Sequence, residues 1–306
     1  MTPSETTTRP RGPMKIGLHL PQWGADATRS GVLDVARAAE EAGLDSLWVA
    51  DHVVYPVQPG TSYPYGDARP PFAAEDGFLE AFTTLAAVAG ATERVELGTS
   101  VLVLPMREPL LVAKTIATLD VLSEGRVLVG VGAGWWREEF EALGAQFEGR
   151  GSRMDEQIEI LRALWRDGAV AHRGRSYEFE ELACRPHPAR PGGPPIVVGG
   201  MAPRAMQRAG ALGDGWHALG SHAETLAEGF EEVLRSARAA GRADGELTLS
   251  TSIVLPPEPE RALRRLSRLA GIGVAHAVVT VPGGAAELLD TIEMLAGSVL
   301  PELRAA

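Results

Sequence analysis

The sequence predicts an α/β fold, a (β/α)8 TIM barrel with an excursion before strand five. Three observations predict it. Strand-like and helix-like segments alternate along the chain eight times. The strand-like runs are short and apolar throughout, as parallel strands covered on both faces must be. The rival arrangement, a doubly wound open sheet, calls for a glycine-rich phosphate loop after its first strand. The text there, HLPQWGADAT, has one glycine, and GVGAGWW after strand four breaks G-x-G-x-x-G at Trp135.

KIGLHL from Lys15 reads as strand one. SGVLDVARAAEEAG follows as a helix, with Ser30 as cap, Val32, Leu33, Val35, Ala36 and Ala39 at helical spacing, and Gly43 as stop. DSLWVA is strand two. A Pro/Tyr/Gly-rich loop then runs from Val53 to about Glu75, and GFLEAFTTLAAVAGAT is the next helix. VELGTSVLVL and PLLVAKTIATLDVLS form the third unit, and RVLVGVG is strand four. Helical text spans about Arg137 to Trp165, broken near Gly149 and Gly151. From Asp167 to Pro195 the rhythm fails in Arg, Pro and Gly, as in a hairpin excursion. PIVVGG, GWHALG, LTLSTSIVL and HAVVTV are strands five to eight, each followed by a helical segment. The sequence assigns 14–306 to a single barrel domain. It assigns the polar, Pro-rich residues 1–13 to a disordered tail, with Met14 as an alternative start.

Composition narrows the function. The net charge is −11 with no basic cluster, which argues against nucleic acid as a partner. No apolar run reaches the length of a membrane span. The single cysteine, Cys184, fits a reducing cytoplasm and makes neither an internal disulfide nor a Cys-rich zinc site. No metal is expected: His19 stands alone where metal-dependent barrel hydrolases carry H-x-H, and no H-E-x-x-H occurs. No G-x-S-x-G elbow is present.

A barrel of this type places its chemistry at the C-terminal strand ends. Strand two stops on Asp51 and His52, and two buried titratable groups need partners. The other strand ends add His19, Gln22 and Trp23, Ser100 and Val101, Gly132 to Trp136, Gly199 to Met201, and Trp216 and His217. Gly199 and Gly200 precede a helix, where bare amides suit a phosphate, and Arg204 follows in its first turn. The glycines of GVGAGWW let a flat ring approach the backbone.

The run LGTSVLVLPMREPLLVAKTIATLDVLSEGRVLVGVGAGW resembles the third and fourth units of the luciferase-like family of flavin- and deazaflavin-dependent oxidoreductases. LWVADH, PPIVVGG and GALGDGWHALG match it at corresponding places. Within that family the chain is most similar to the F420-dependent branch. The resemblance implies a cofactor ring in the barrel mouth, coenzyme F420 or alternatively FMN. It implies a non-prolyl cis peptide at Ser100–Val101, with Asp51 contacting the deazaflavin head and His52 as catalytic acid or base. The cofactor would contact Ser100, Val101, Gly132, Trp135 and Met201, with its phosphate by Gly199 and Gly200. Trp23, Tyr55 and Tyr63 would wall the substrate, and a homodimer is expected.

The chain also departs from the family. Trp135 stands where the sugar-phosphate dehydrogenases carry a Glu, and LGSHAE lacks their phosphate-pocket Lys. LPPEPE is too short for the mobile lid of bacterial luciferase. Three functions follow: an F420-dependent oxidoreductase moving a hydride between deazaflavin C5 and a small organic substrate, an FMNH2-dependent monooxygenase using O2, or a non-catalytic flavin-binding barrel.

Overall fold

Eight short strands that are largely apolar and buried on both faces need cover on both sides, and a closed ring with helices outside provides it. The computed structural model describes residues 12–65 and 70–305, and has that ring. Its strands are β1 (Lys15–His19), β2 (Ser46–Val49), β3 (Glu96–Thr99), β4 (Val127–Gly132), β5 (Ile196–Gly199), β6 (Gly215–Leu219), β7 (Thr248–Ile253) and β8 (Val274–Val279). Every neighbouring pair is parallel, from Gly17↔Ser46 between β1 and β2 to Lys15↔His276 between β1 and β8. The β3–β4 pairing, Leu97↔Val127, completes the circle. Of the tail expected over 1–13, residues 1–11 lie outside the described residues, as do 66–69 of the loop after β2.

The first helix, Arg29–Glu41, buries Val32, Leu33, Val35, Ala36 and Ala39, the stripe its spacing predicts. Its cap is Thr28 rather than Ser30. The Thr28 hydroxyl accepts from the Gly31 amide at 3.0 Å, because Thr28 is the last extended residue before the helix. The next helix starts at Ala81, four residues later than the sequence suggests, where the Glu80 carboxylate accepts from the Thr83 amide. Strand three is interrupted. Ser100–Val101 is a cis peptide, and the chain resumes pairing with β4 only at Leu102↔Val131. Strand eight begins at Val274, two residues before the predicted His276. The excursion contains the expected hairpin, with Val170–Arg173 antiparallel to Glu178–Leu182.

The barrel interior is not wholly apolar. Trp48 reaches across it, and fits because Gly17 and Gly98 on the flanking strands have no side chain: a Cβ at either would lie within 2.7 Å of the indole. Its ring stacks on His217 at 5.2 Å and its Nε1 donates to Ser46. Ser46 also bonds His276, near the N-terminal end of the barrel. These polar side chains are buried but mutually bonded, so the interior carries few orphan groups. Among the described residues, no helix is long and apolar enough to cross a membrane. No cluster of three His, Cys, Asp or Glu side chains there is arranged to hold a metal.

Candidate active site

At the C-terminal end of the barrel lies a cavity of about 1240 Å³, larger than the ~300–1,000 Å³ of an ordinary ligand pocket. Asp51 and His52 both line it, and their partners differ. Asp51 turns toward the interrupted strand. Its carboxylate accepts from the Val103 amide at 2.9 Å and from Arg107 at 2.6 and 3.2 Å. Arg107 also donates to Glu80 at 3.2 Å. Burial works against the guanidinium charge, but Asp51 and then Glu80 outweigh it and hold its pKa above the usual value. Both Asp51 oxygens therefore have protein partners, and the aspartate fixes the turn that follows Val101.

His52 turns the other way. Its Nδ1 lies 2.8 Å from a carboxylate oxygen of Glu139, which is almost completely buried in the helix Arg137–Ala142. A carboxylate accepts only, so Nδ1 carries the proton. Among the described residues Nε2 has no hydrogen-bond partner, and His52 lines the cavity. Glu139 also accepts from the Val53 amide at 2.6 Å. Its neighbour Glu138 accepts from the Gly60 and Thr61 amides at 2.6 and 2.8 Å and from the Thr61 hydroxyl at 2.6 Å. Adjacent acids thus fasten both ends of the segment Val53–Thr61.

A second group sits below, at the ends of β1, β6 and β7. Ser100 Oγ lies 2.8 Å from His217 Nε2 and 3.2 Å from Ser252 Oγ. His217 Nδ1 lies 2.8 Å from Ser250 Oγ, whose other partner is the Trp216 carbonyl. That carbonyl can only accept, so Ser250 donates to it and accepts from His217 Nδ1–H. His217 Nε2 then accepts from the Ser100 hydroxyl. His19 Nε2 lies 3.2 Å from Ser252, and its buried Nδ1 has no partner among the described residues. Burial lowers the pKa of His19 to about 4 and, with His19 nearby, that of His217 to about 3. Both are neutral imidazoles at neutral pH, whereas His52 faces a carboxylate.

The side formed by β3, β4 and β5 is a backbone shelf. A Cβ on Gly132 would lie 2.6 Å, and one on Gly199 2.7 Å, from the Val101 methyls, so only glycine lets the three strand ends close on Val101. Beyond it Gly200 has φ +121°, and the helix Pro203–Leu212 starts at Ala202 with no side-chain cap; Pro203 carries no N–H and the Gly200 and Ala205 amides donate to the His217 and Ala202 carbonyls. Met201, Arg204, Arg208 and Arg150 line this end. Arg208 is bonded to Asp155, and Arg150 donates to the Gly134 carbonyl at 3.1 Å.

The opposite side is aromatic. Trp23, Phe72, Tyr63, Tyr65 and Trp135 line it. Tyr55, expected in this wall, stands one layer behind. It packs on Phe72 at 5.1 Å and Trp136 at 5.4 Å, and backs His52 at 5.6 Å. Its hydroxyl is buried with no partner among the described residues, and burial, reinforced by Glu139 and Asp51, raises its pKa far above the usual phenol value. Trp135 does not lie on the shelf side alone: its ring is 6.1 Å from His52 and 5.2 Å from Tyr63.

The sequence left four contributors unremarked. Arg107 follows the interrupted strand three, and no sequence signal ties it to Asp51, 56 residues away. Glu138 and Glu139 read as ordinary acids at a helix start. Ser252 was detectable from LTLSTSIVL, whose Ser250 and Ser252 alternate onto one face of the strand.

A family model described as luciferase-like monooxygenase matches residues 14–298. The chain is 37% identical over 211 residues to an uncharacterized protein of Mycobacterium tuberculosis, covering 69% of this chain and 72% of that one. It is 32% identical over 263 residues to the F420-dependent glucose-6-phosphate dehydrogenase of Kineococcus radiotolerans, covering 82% and 71%. Among solved structures it is similar to an F420-dependent secondary alcohol dehydrogenase in complex with an F420-acetone adduct. The TM-score is 0.76 at 20% identity over 95% of this chain and 99% of that one. It is similar too to the monooxygenase RslO1 of Streptomyces bottropensis, with TM-score 0.75 at 21% identity over 94% and 99%. At these identities the two structures speak for the fold.

Proposed function

Because the chain belongs to the luciferase-like monooxygenase family, we propose that it is an F420-dependent oxidoreductase moving a hydride between the deazaflavin C5 and a small organic substrate. The observation that carries this is His52, held by Glu139 in the cavity lining at the strand end next to the Val101 shelf. The residues present fit a flat, anionic cofactor. The shelf of Val101, Gly132 and Gly199 is bare backbone, the helix beginning at Pro203 has no side-chain cap, and Arg204 lines the cavity in its first turn. The unpartnered Nδ1 of His19 and the lone pairs of Ser100 offer polar contacts at the foot of the cavity. Ser100, Val101, Gly132, Gly199, Gly200 and Met201 would hold the cofactor. Bound there, a deazaflavin supplies a hydride donor or acceptor at C5.

The protein's own part is proton management. His52 Nε2 takes or gives the substrate's exchangeable proton, and Glu139 faces the positive charge that forms on the ring. His19 and His217, held neutral, keep a second positive charge away from the same cavity. Asp51 acts at a distance, holding the Val103 and Arg107 turn rather than meeting substrate. A homodimer in the cytoplasm completes the proposal.

The test is a pair of titrations on purified apoprotein, one with F420 and one with FMN, followed by fluorescence quenching. Micromolar or tighter F420 binding with weak FMN binding is expected. The reverse order would assign the chain to oxygen-using flavin chemistry and would overturn the role given to His52.

A further inference from the structure

We infer that the substrate side of this cavity takes a neutral molecule with a flat hydrophobic body, its reacting hydroxyl or carbonyl at the edge, and rejects carboxylates and phosphates. The inference rests on the proposed role of His52, and names the substrate class of that site.

The aromatic side is continuous. Trp23 meets Phe72 at 6.2 Å, Phe72 meets His52 at 5.1 Å, His52 meets Trp135 at 6.1 Å and Trp135 meets Tyr63 at 5.2 Å. The two lining tryptophans are each backed on one face. Trp135 stacks on Trp136 at 4.7 Å, and Trp23 on Phe78 at 5.9 Å. Backing of this kind fixes the rings and leaves their free faces and edges to the cavity, the surface that receives a flat apolar body best. His52 sits in the middle of this run, so the group that exchanges its proton must sit there as well.

Charge points the same way. β1 and β2, which carry Trp23 and His52, lie across the ring from β5, whose helix brings Arg204 and Arg208. Arg107 is taken by Asp51 and Glu80, and Arg150 donates to the Gly134 carbonyl. The aromatic side holds Glu138 and Glu139, fastened to backbone amides and to His52. An anion arriving beside His52 would meet the Glu139 carboxylate 2.8 Å behind its Nδ1. A neutral substrate would meet no such repulsion, and its single polar group would find His52 Nε2.

The test is isothermal titration calorimetry on the full-length apoprotein with 2-naphthol and with 2-naphthoate, in phosphate buffer so that the arginine end is screened. 2-Naphthol is expected to bind at least 10-fold more tightly. Trp23→Ala should weaken it at least 10-fold, and Trp23→Phe should recover most of that loss, which separates the lost surface from misfolding. Equal or tighter binding of 2-naphthoate would overturn the inference, and so would naphthol binding unchanged in Trp23→Ala. An F420 titration is run in parallel. Absent F420 binding with the naphthol preference intact would remove the cofactor proposal alone. A naphthoate preference with F420 bound would remove this inference alone.

Discussion

Replacing Arg107 by Met should leave Asp51 as a buried charge held by one amide. The Asp51 side chain is fully buried, and two of its three hydrogen bonds come from Arg107. Removing one partner of a buried pair costs about 3–5 kcal/mol, because the remaining charge has lost its compensation. For 306 residues the unfolding entropy near the midpoint is about 0.64 kcal/mol/K, at ~2.1 cal/mol/K per residue. The expected fall in Tm is therefore about 5–8 °C, measured by differential scanning calorimetry at pH 7.5. The double variant Asp51→Asn with Arg107→Met removes the stranded charge and should recover more than half of the loss. A single variant within about 2 °C of the parent would refute the reasoning, as would a double variant no better than the single one.

Other outcomes follow from the same geometry. Glu139→Gln keeps an acceptor for the Val53 amide but turns a charge-assisted bond to His52 into a neutral one, a loss of about 1.5–2.5 kcal/mol. Turnover with any substrate found should fall roughly 10- to 100-fold at unchanged fold, and a kcat within 3-fold of the parent would reduce Glu139 to a loop fastener. Gly132→Ala drives a Cβ to 2.6 Å from Val101, so F420 affinity should drop at least ~10-fold with about 1–3 kcal/mol of destabilisation. Adding Val101→Ala should restore part of both, and unchanged F420 titrations would show that the shelf is not the cofactor seat. His19, His217 and His276 are neutral when folded, with pKa values lowered by burial to about 4, 3 and 3, but bind protons below pH 6.5 once unfolded. Stability is then complete above pH 6.5 and lost as pH falls toward 4, by up to about 1.4 kcal/mol per pH unit for each histidine. Urea midpoints that stay flat from pH 7.5 to 5 would contradict the burial of these rings.

Much of the fold was legible because repeating patterns are local. The apolar spacing from Val32 to Ala39 marks a helix face within two turns, and the strand runs mark themselves by composition. The end of β2 at Asp51 and His52 was visible for the same reason, since an apolar run that stops on two titratable groups must meet partners or solvent. The partners themselves were not visible. Glu139 lies 87 residues from His52, and Arg107 lies 56 from Asp51. No period links such positions, and only barrel closure brings them together. Tyr55 shows the opposite failure. Its place among Tyr63 and Tyr65 in one loop suggested one shared surface, but the Glu138 and Glu139 anchors fold the loop so that Tyr55 turns inward behind His52. Thr28 replaced Ser30 as a cap because two hydroxyl residues stand side by side, and only backbone geometry decides which is last before the helix.

The way Glu138 and Glu139 grip the segment Val53–Thr61 sets what variation this barrel can absorb. Most of their bonds go to main-chain N–H groups, which every residue except proline supplies. The anchorage is thus largely blind to the side chains it holds. Residues 56–59 can be exchanged without loosening His52, because its Nδ1 is bound by the same helix rather than by the loop, whereas Tyr55 packs behind its ring. The composition of the loop and the seating of His52 are separable traits here, and a library randomised over Pro56 to Pro59 should recover folded barrels with His52 still in register.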